Sequence, residues 1–192
     1  MQHAIRSVCV FCGARDGRRP AYALAARQVG ALIAARGWRL VYGAGDVGLM
    51  GEAARAAMEA GAATFGVVPQ HLIELERGRR DLTRLVVTET MHERKKVMFV
   101  NSDAIVVLPG GAGSLDEFFE VLTWRQLGLH GKPIFLLNVE GYWTPLIALL
   151  DHVISEGFAG DRLRDFVTVA EDVPALSEAL HDALGREAAP QA

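Results

Sequence analysis

The stretch that decides the fold is Ala104-Ile105-Val106-Val107-Leu108-Pro109-Gly110-Gly111-Ala112-Gly113-Ser114-Leu115-Asp116-Glu117. Its first part, Ala104–Leu108, is continuously apolar, which suits a strand covered on both faces rather than one with a wet side. Pro109 stops that strand sharply, because proline cannot donate to a ladder. The glycine turn that follows leads into a helical pattern from Ser114 to Leu127. At the start of such a helix several backbone N–H groups point outward, and the helix dipole favours an anion there. Ser114 adds a hydroxyl donor. The turn is therefore the strongest phosphate-binding candidate in the chain. A second reading stands beside it: Ser114 and Glu117 fit the S-x-x-E capping box, which only closes a helix end.

Outward from this stretch the alternation repeats. Ser7–Cys12, Arg39–Tyr42, Thr64–Val68, Leu85–Val87, Pro133–Asn138 and Phe166–Val169 read as further short strands. Ala21–Ala35, Leu49–Ala60, Met91–Asn101, Tyr142–Ser155 and Pro174–Leu184 read as helices, the first two closed by Gly37 and Gly61. Apolar strands alternating with helices, joined by right-handed crossovers, predict an α/β fold. The expected architecture is a single Rossmann-like, doubly wound parallel sheet with helices on both faces. It should occupy residues 1–184 as one domain, with 185–192 a frayed polar tail. Ligands in such sheets bind beyond the carboxyl ends of the strands, where the glycine turns lie. The charged stretch Glu76–Arg84 reads as a loop near the same rim.

Composition narrows the function. The chain has 192 residues, 51% hydrophobic and 22% charged, which excludes a disordered chain and leaves room for one sizeable core. A formal net charge of -3 gives no basic footprint for nucleic acid, though a local positive site could still take an acidic small molecule. The apolar runs fall far short of the ~18–20 residues of a membrane span. Met1–Arg6 lacks the pattern of a secretory signal, so the expected compartment is the cytoplasm. Cys9 and Cys12 form a C-x-x-C within an apolar strand, not at a helix start, and read as ordinary reduced thiols. A zinc site would need two more ligands, and neither a second C-x-x-C nor a paired histidine supplies them.

A second glycine turn, Gly43-Ala44-Gly45-Asp46-Val47-Gly48, matches G-x-G-x-x-G literally. Glycines there allow positive φ and close approach to a phosphate. A dinucleotide dehydrogenase also needs an acid about 20 residues on, to hold the ribose hydroxyls. The next strand ends Gly66-Val67-Val68-Pro69-Gln70 with no acid, and the turn follows the second strand, not the first. A tight strand–helix turn explains it as well. Between the two turns lies Met91-His92-Glu93-Arg94-Lys95-Lys96. Arg94 and Lys95 near a helix start oppose the dipole and invite an external anion; a solvated charged face is the plainer reading. His71, His92, His130 and His152 show no metal spacing, and Arg77, Arg79 and Arg80 read as a solvated basic loop.

Taken together, these segments resemble the Lonely Guy (LOG) family of cytokinin riboside 5′-monophosphate phosphoribohydrolases, often mislabelled as lysine decarboxylases. Pro109 to Glu117 matches its P-G-G-x-G-T-x-x-E hallmark, with Ser114 for Thr. Met91-His92-Glu93-Arg94-Lys95 matches M-H-x-R-K, and Gly43 to Gly51 matches G-G-G-x-x-G-L-M-G, with Ala44 for the middle Gly. Thr123-Trp124-Arg125-Gln126-Leu127-Gly128, Lys132-Pro133 and Asn138-Val139-Glu140-Gly141-Tyr142 are similar too. The family's first strand often ends C-G-S, where this chain has Cys12-Gly13-Ala14.

The resemblance implies roles for particular residues. Arg94 and Glu117 fall on the family's catalytic pair. Substrate contacts carry over to Glu76, Arg94, Lys95, the loop Gly110, Gly111, Ala112, Gly113 and Ser114, and Thr123. The implied reaction is hydrolysis of the N-glycosidic bond of a cytokinin riboside 5′-monophosphate, or of AMP, giving free base and ribose 5-phosphate. The resemblance implies neither metal nor organic cofactor and a homodimer with its two sites near the interface; the lack of a basic footprint and of a long apolar run points to no nucleic-acid or membrane partner. A general purine-nucleotide nucleosidase is the enzymatic alternative. A nucleotide or molybdenum-cofactor carrier is the other, which needs the phosphate loop but not the carboxylate. A pyridoxal decarboxylase is unsupported, since no lysine sits in a recognisable pyridoxal pocket motif.

Overall fold

A computed structural model describes residues 5–73 and 82–185. One parallel sheet of seven strands forms the centre, in the order β4-β3-β2-β1-β5-β6-β7. The strands are β1 (Ser7–Phe11), β2 (Arg39–Tyr42), β3 (Thr64–Pro69), β4 (Arg84–Thr88), β5 (Ala104–Val107), β6 (Ile134–Leu137) and β7 (Val167–Ala170). The helices are α1 (Pro20–Ala35), α2 (Gly48–Glu59), the short α3 (Gln70–Ile73), α4 (Met91–Val100), α5 (Ala112–Gln126), α6 (Thr144–Ser155) and α7 (Val173–Gly185). β1 lies between β2 and β5, with Val8 in register with both Leu40 and Ala104. The strand order therefore reverses between β1 and β5, and the crevice beyond their carboxyl ends is where such sheets bind ligands.

The apolar strands are buried because helices cover both sheet faces. Alternate residues feed alternate cores, as the two-residue period of a strand requires. Val8 and Val10 of β1, with Ala104 and Val106 of β5, pack under α1, α2 and α7. Cys9 and Phe11, with Ile105 and Val107, pack under α4, α5 and α6. Small residues let the helices come close: a Cβ on Gly30 of α1 would stand 2.1 Å from the Ala53 carbonyl of α2. Edge strand β4 leaves Leu85 and Val87 exposed.

The doubly wound α/β expectation holds, with differences at boundaries. α5 starts at Ala112, two residues before the predicted Ser114. Gly111 is then its N-cap and no side chain caps it, so Ser114 and Glu117 do not form a capping box. The box that does form is Thr90 with Glu93 at the head of α4: the Thr90 hydroxyl accepts from the Glu93 N–H, and the Glu93 carboxylate accepts from the Thr90 N–H. β3 takes in Pro69, which stands in register with Thr88. A short 3₁₀ turn, Val139–Gly141, delays α6 to Thr144. Gly185 still belongs to α7, and the remainder of the predicted tail lies outside the described residues. Among those residues no helix is long and apolar enough to cross a membrane.

Candidate active site

A cavity of about 540 Å³ opens at the switch point. The β1–α1 loop supplies Gly13, Ala14, Arg15, Asp16 and Gly17; the β5–α5 loop supplies Pro109, Gly110 and Gly111, with Gly113, Ser114 and Glu117 from α5. Gly43, Met50, Arg94 and Met98 close its base and flank, and Tyr22 and Tyr142 its other wall. The volume falls in the range of small-molecule sites.

Arg94 and Glu117 come together in this cavity from α4 and α5. Both are buried, at 6% and 8% exposure. The Arg94 Nε donates to the Val67 carbonyl at 3.1 Å, and Nη2 donates to the Gly43 carbonyl at 3.0 Å. The Gly43 carbonyl directly follows β2 and the Val67 carbonyl lies in the second half of β3, so the guanidinium is clamped to the sheet. Its Nη1 faces Glu117 Oε1 at 3.8 Å, an ion pair rather than a hydrogen bond. Burial pushes the Glu117 carboxyl up to about 7, with Arg94 pulling against the rise. The pull is too weak to restore an ordinary carboxylate, because desolvation penalises the charged form.

The glycines of the Gly43–Gly48 turn make room for protein, not for a dinucleotide. A Cβ on Gly43 would stand 1.7 Å from Arg94 Nη2, and one on Gly48 2.3 Å from the Ala14 backbone. The left-handed positions are Gly48, at φ 63°, and Ala44, at φ 61°, where the family hallmark has glycine. In the other turn, a Cβ on Gly110 would meet Ser114 Oγ at 2.0 Å.

The remaining predicted residues separate. Gly110, Gly111, Gly113 and Ser114 line the cavity, and Ala112 opens α5 beside them. Lys95 is buried but turns away: its Nζ meets Asp116 at 2.9 Å and Glu120 at 3.2 Å. Burial opposes its charge, and the hydrogen bonds to Asp116 and Glu120 outweigh that and hold the ammonium above its usual range. A solvated charged face fits neither Arg94 nor Lys95, since both are buried; Lys95 is paired away from the cavity, whereas Arg94 lines it. Thr123 is exposed on α5, outside the cavity lining. Glu76 lies outside the described residues. Cys9 and Cys12 are free and buried, and desolvation pushes both thiols well above the usual range, with the Glu117 charge adding. Sequence reasoning missed Arg15, Tyr22 and Tyr142. Their signal was position: two sit in or just after the loop that leaves β1, and Tyr142 stands in a family-like segment that carried no role.

A family model described as "Possible lysine decarboxylase" matches residues 50–180. A cytokinin riboside 5′-monophosphate phosphoribohydrolase of Rhodococcoides fascians is 45% identical over 169 residues, covering 88% of this chain and 85% of that protein. The chain belongs to the Lonely Guy family. A further LOG protein, the cytokinin riboside 5′-monophosphate phosphoribohydrolase of Arabidopsis thaliana, is 38% identical over 186 residues, covering 97% of this chain and 87% of its own length. The molybdenum cofactor binding protein from the phototrophic bacterium Rippkaea orientalis superposes with a TM-score of 0.72 at 24% identity, over 94% of this chain and 98% of that one. That likeness shows the fold alone, shared with a molybdenum cofactor binding protein. No lysine lines the cavity among the described residues.

Proposed function

We propose that this LOG protein hydrolyses the N-glycosidic bond of a cytokinin riboside 5′-monophosphate, releasing free base and ribose 5-phosphate. The observation that carries this reading is the buried Glu117 carboxyl, raised to about 7 and faced by a clamped Arg94, inside the cavity that the glycine loop borders. A carrier needs the loop but has no use for such a carboxyl.

The 5′-phosphate sits on the uncapped start of α5, where Gly111, Ala112 and Gly113 present N–H groups and Ser114 a hydroxyl. That remote anchor holds the ribose in reach of Glu117. As the C1′–N bond breaks, its electron pair leaves with the base and positive charge grows on the ribose ring. Glu117 as carboxylate stabilises that charge and takes a proton from the attacking water, whose oxygen bonds to C1′; that proton then passes to the departing base, which leaves neutral and restores the carboxylate. A carboxyl near 7 is matched to proton transfer at neutral pH. Arg94 keeps Glu117 oriented, and its own hydrogen bonds to two carbonyls leave it little freedom to move.

A second copy of the chain completes the assembly. On α5, Phe119 and Thr123 stand four residues apart and Leu127 follows, which places them along one exposed stripe. An exposed apolar stripe suits a partner surface. Covering it in a homodimer puts Thr123 at the interface, which is how it could serve a nucleotide despite lying outside its own cavity.

The test is a product assay without added metal, using AMP and isopentenyladenosine monophosphate. Free base and ribose 5-phosphate are the expected products, and the ratio of the two rates separates cytokinin release from general purine-nucleotide cleavage. Tight binding with no release from either substrate would overturn the enzyme and leave the carrier.

A further inference from the structure

The Tyr142 hydroxyl donates a hydrogen bond to the Gly110 carbonyl at 2.6 Å. It reaches across from the connection after β6 to the loop after β5. We propose that Tyr142 is a positioning residue that fixes the Gly110–Ser114 loop in its anion-accepting form and so sets the preference for 5′-phosphorylated substrates. The proposal rests on the reading above, in which that loop takes the phosphate.

The argument begins with the peptide between Gly110 and Gly111. Neither residue has a side chain, so the plane between them rotates at little cost unless something holds it. In a trans peptide the N–H points opposite to the carbonyl. A bond that pins the Gly110 carbonyl therefore aims the Gly111 N–H as well. Gly111 is the N-cap of α5 and has no side-chain cap bond, so the first N–H groups of that helix are left for a ligand. Just before, the Pro109 carbonyl accepts from the Gly13 N–H at 3.0 Å. The loop is thus held from β1 on one side and from Tyr142 on the other.

Tyr142 is itself held. Its ring meets Tyr22 edge-on at 5.4 Å and Trp143 at 4.8 Å. The chain turns into it through Glu140 and Gly141, both left-handed at φ 50° and 72°. A non-glycine residue in that region is strained and needs support from its surroundings. Support comes from Asn138, whose Oδ1 accepts from the Trp143 N–H at 2.7 Å and whose Nδ2 donates to Glu171 at 3.0 Å. The turn thereby delivers a phenol to the carbonyl of the Gly110–Gly111 peptide, which lies between Pro109 and the start of α5.

Tyr142→Phe keeps the ring contacts and removes only the hydroxyl. Four quantities decide the matter, measured on wild type and variant: KM and kcat for AMP, kcat/KM for adenosine, and the inhibition constant of inorganic phosphate. The expected result is a rise in KM for AMP of up to about tenfold, the worth of one hydrogen bond. Phosphate inhibition should weaken by a similar factor, and kcat/KM should fall further for AMP than for adenosine. Equal losses on AMP and adenosine, or no change in either, would overturn the proposal, because a merely structural tyrosine does not distinguish the phosphate. If wild type cleaves only isopentenyladenosine monophosphate, that nucleotide and its nucleoside take the place of AMP and adenosine; if it cleaves none of the three, the hydrolase reading has failed. The loop proposal is then decided by calorimetric binding of inorganic phosphate: weaker binding to Tyr142→Phe supports it, and equal binding overturns it.

Discussion

Burial holds the Glu117 carboxyl near 7 while Arg94 stands 3.8 Å away, and that balance has measurable consequences. If the carboxylate is the working form, kcat/KM falls below pH 7 by up to tenfold per pH unit. Glu117→Gln should remove that limb and lower kcat by at least about 100-fold while nucleotide binding persists, a loss typical of removing one acid–base group. Unchanged turnover would end the assignment. The same shift affects stability. The folded protein holds the Glu117 proton more tightly than the unfolded chain does. Its contribution is therefore full below the ordinary value of 4.5 and fades as pH rises through about 7, by at most about 3 kcal/mol. Denaturant midpoints measured from pH 5 to 8 should fall more steeply in wild type than in Glu117→Gln. At Gly43 the constraint is steric. Gly43→Ala places a methyl 1.7 Å from the Arg94 guanidinium, so either the clamp or the turn must give. The expected cost is about 1–3 kcal/mol of stability together with most of the activity, read by thermal melt and product assay.

At the scale of elements, α4 carries Arg94 toward the cavity and Lys95 toward α5. Adjacent residues on a helix lie about 100° apart, which is why the two cations separate. The head of this helix is held by the Thr90–Glu93 box. Thr90→Ala should cost about 1 kcal/mol, a fall in melting temperature of about 2–4 °C, with a loosened Arg94 visible as a lower kcat. An unchanged melt would mean that packing alone holds the head of α4. The sequence suggested a different capping box, at Ser114 and Glu117. Both tetrads have the right spelling. Only the point where the chain enters each helix distinguishes them, and α5 begins early because the helix takes in Ala112 and Gly113. α5 thus keeps an open end where an anion can bind, while α4 has a closed one.

At the scale of the molecule, the reversal of strand order between β1 and β5 opens the crevice, and loops from both strands border it. The exposed Phe119–Leu127 stripe belongs to this scale as well. Phe119→Asp should shift the protein from dimer to monomer in light scattering, since a charge on a buried interface face is costly. A wild type that runs as a monomer would remove the homodimer proposal.

The alternation of strands and helices and the two glycine turns were legible in the chain, because each is a local pattern of period or motif; the motifs also singled out Arg94 and Glu117, which the fold brings together in the cavity. What an interior position experiences was not legible. Lys95 reads as a nucleotide contact and is in fact paired with Asp116 and Glu120; Gly43 reads as part of a phosphate turn and in fact clears space for Arg94. Tyr142 reads as one letter of a similar segment and in fact donates to the Gly110 carbonyl across 32 residues. The sequence by itself determined which segments fold and which faces they bury. The tertiary structure alone decided which charges meet and which carboxyl loses its water, because desolvation and pairing depend on distances between elements far apart in the chain.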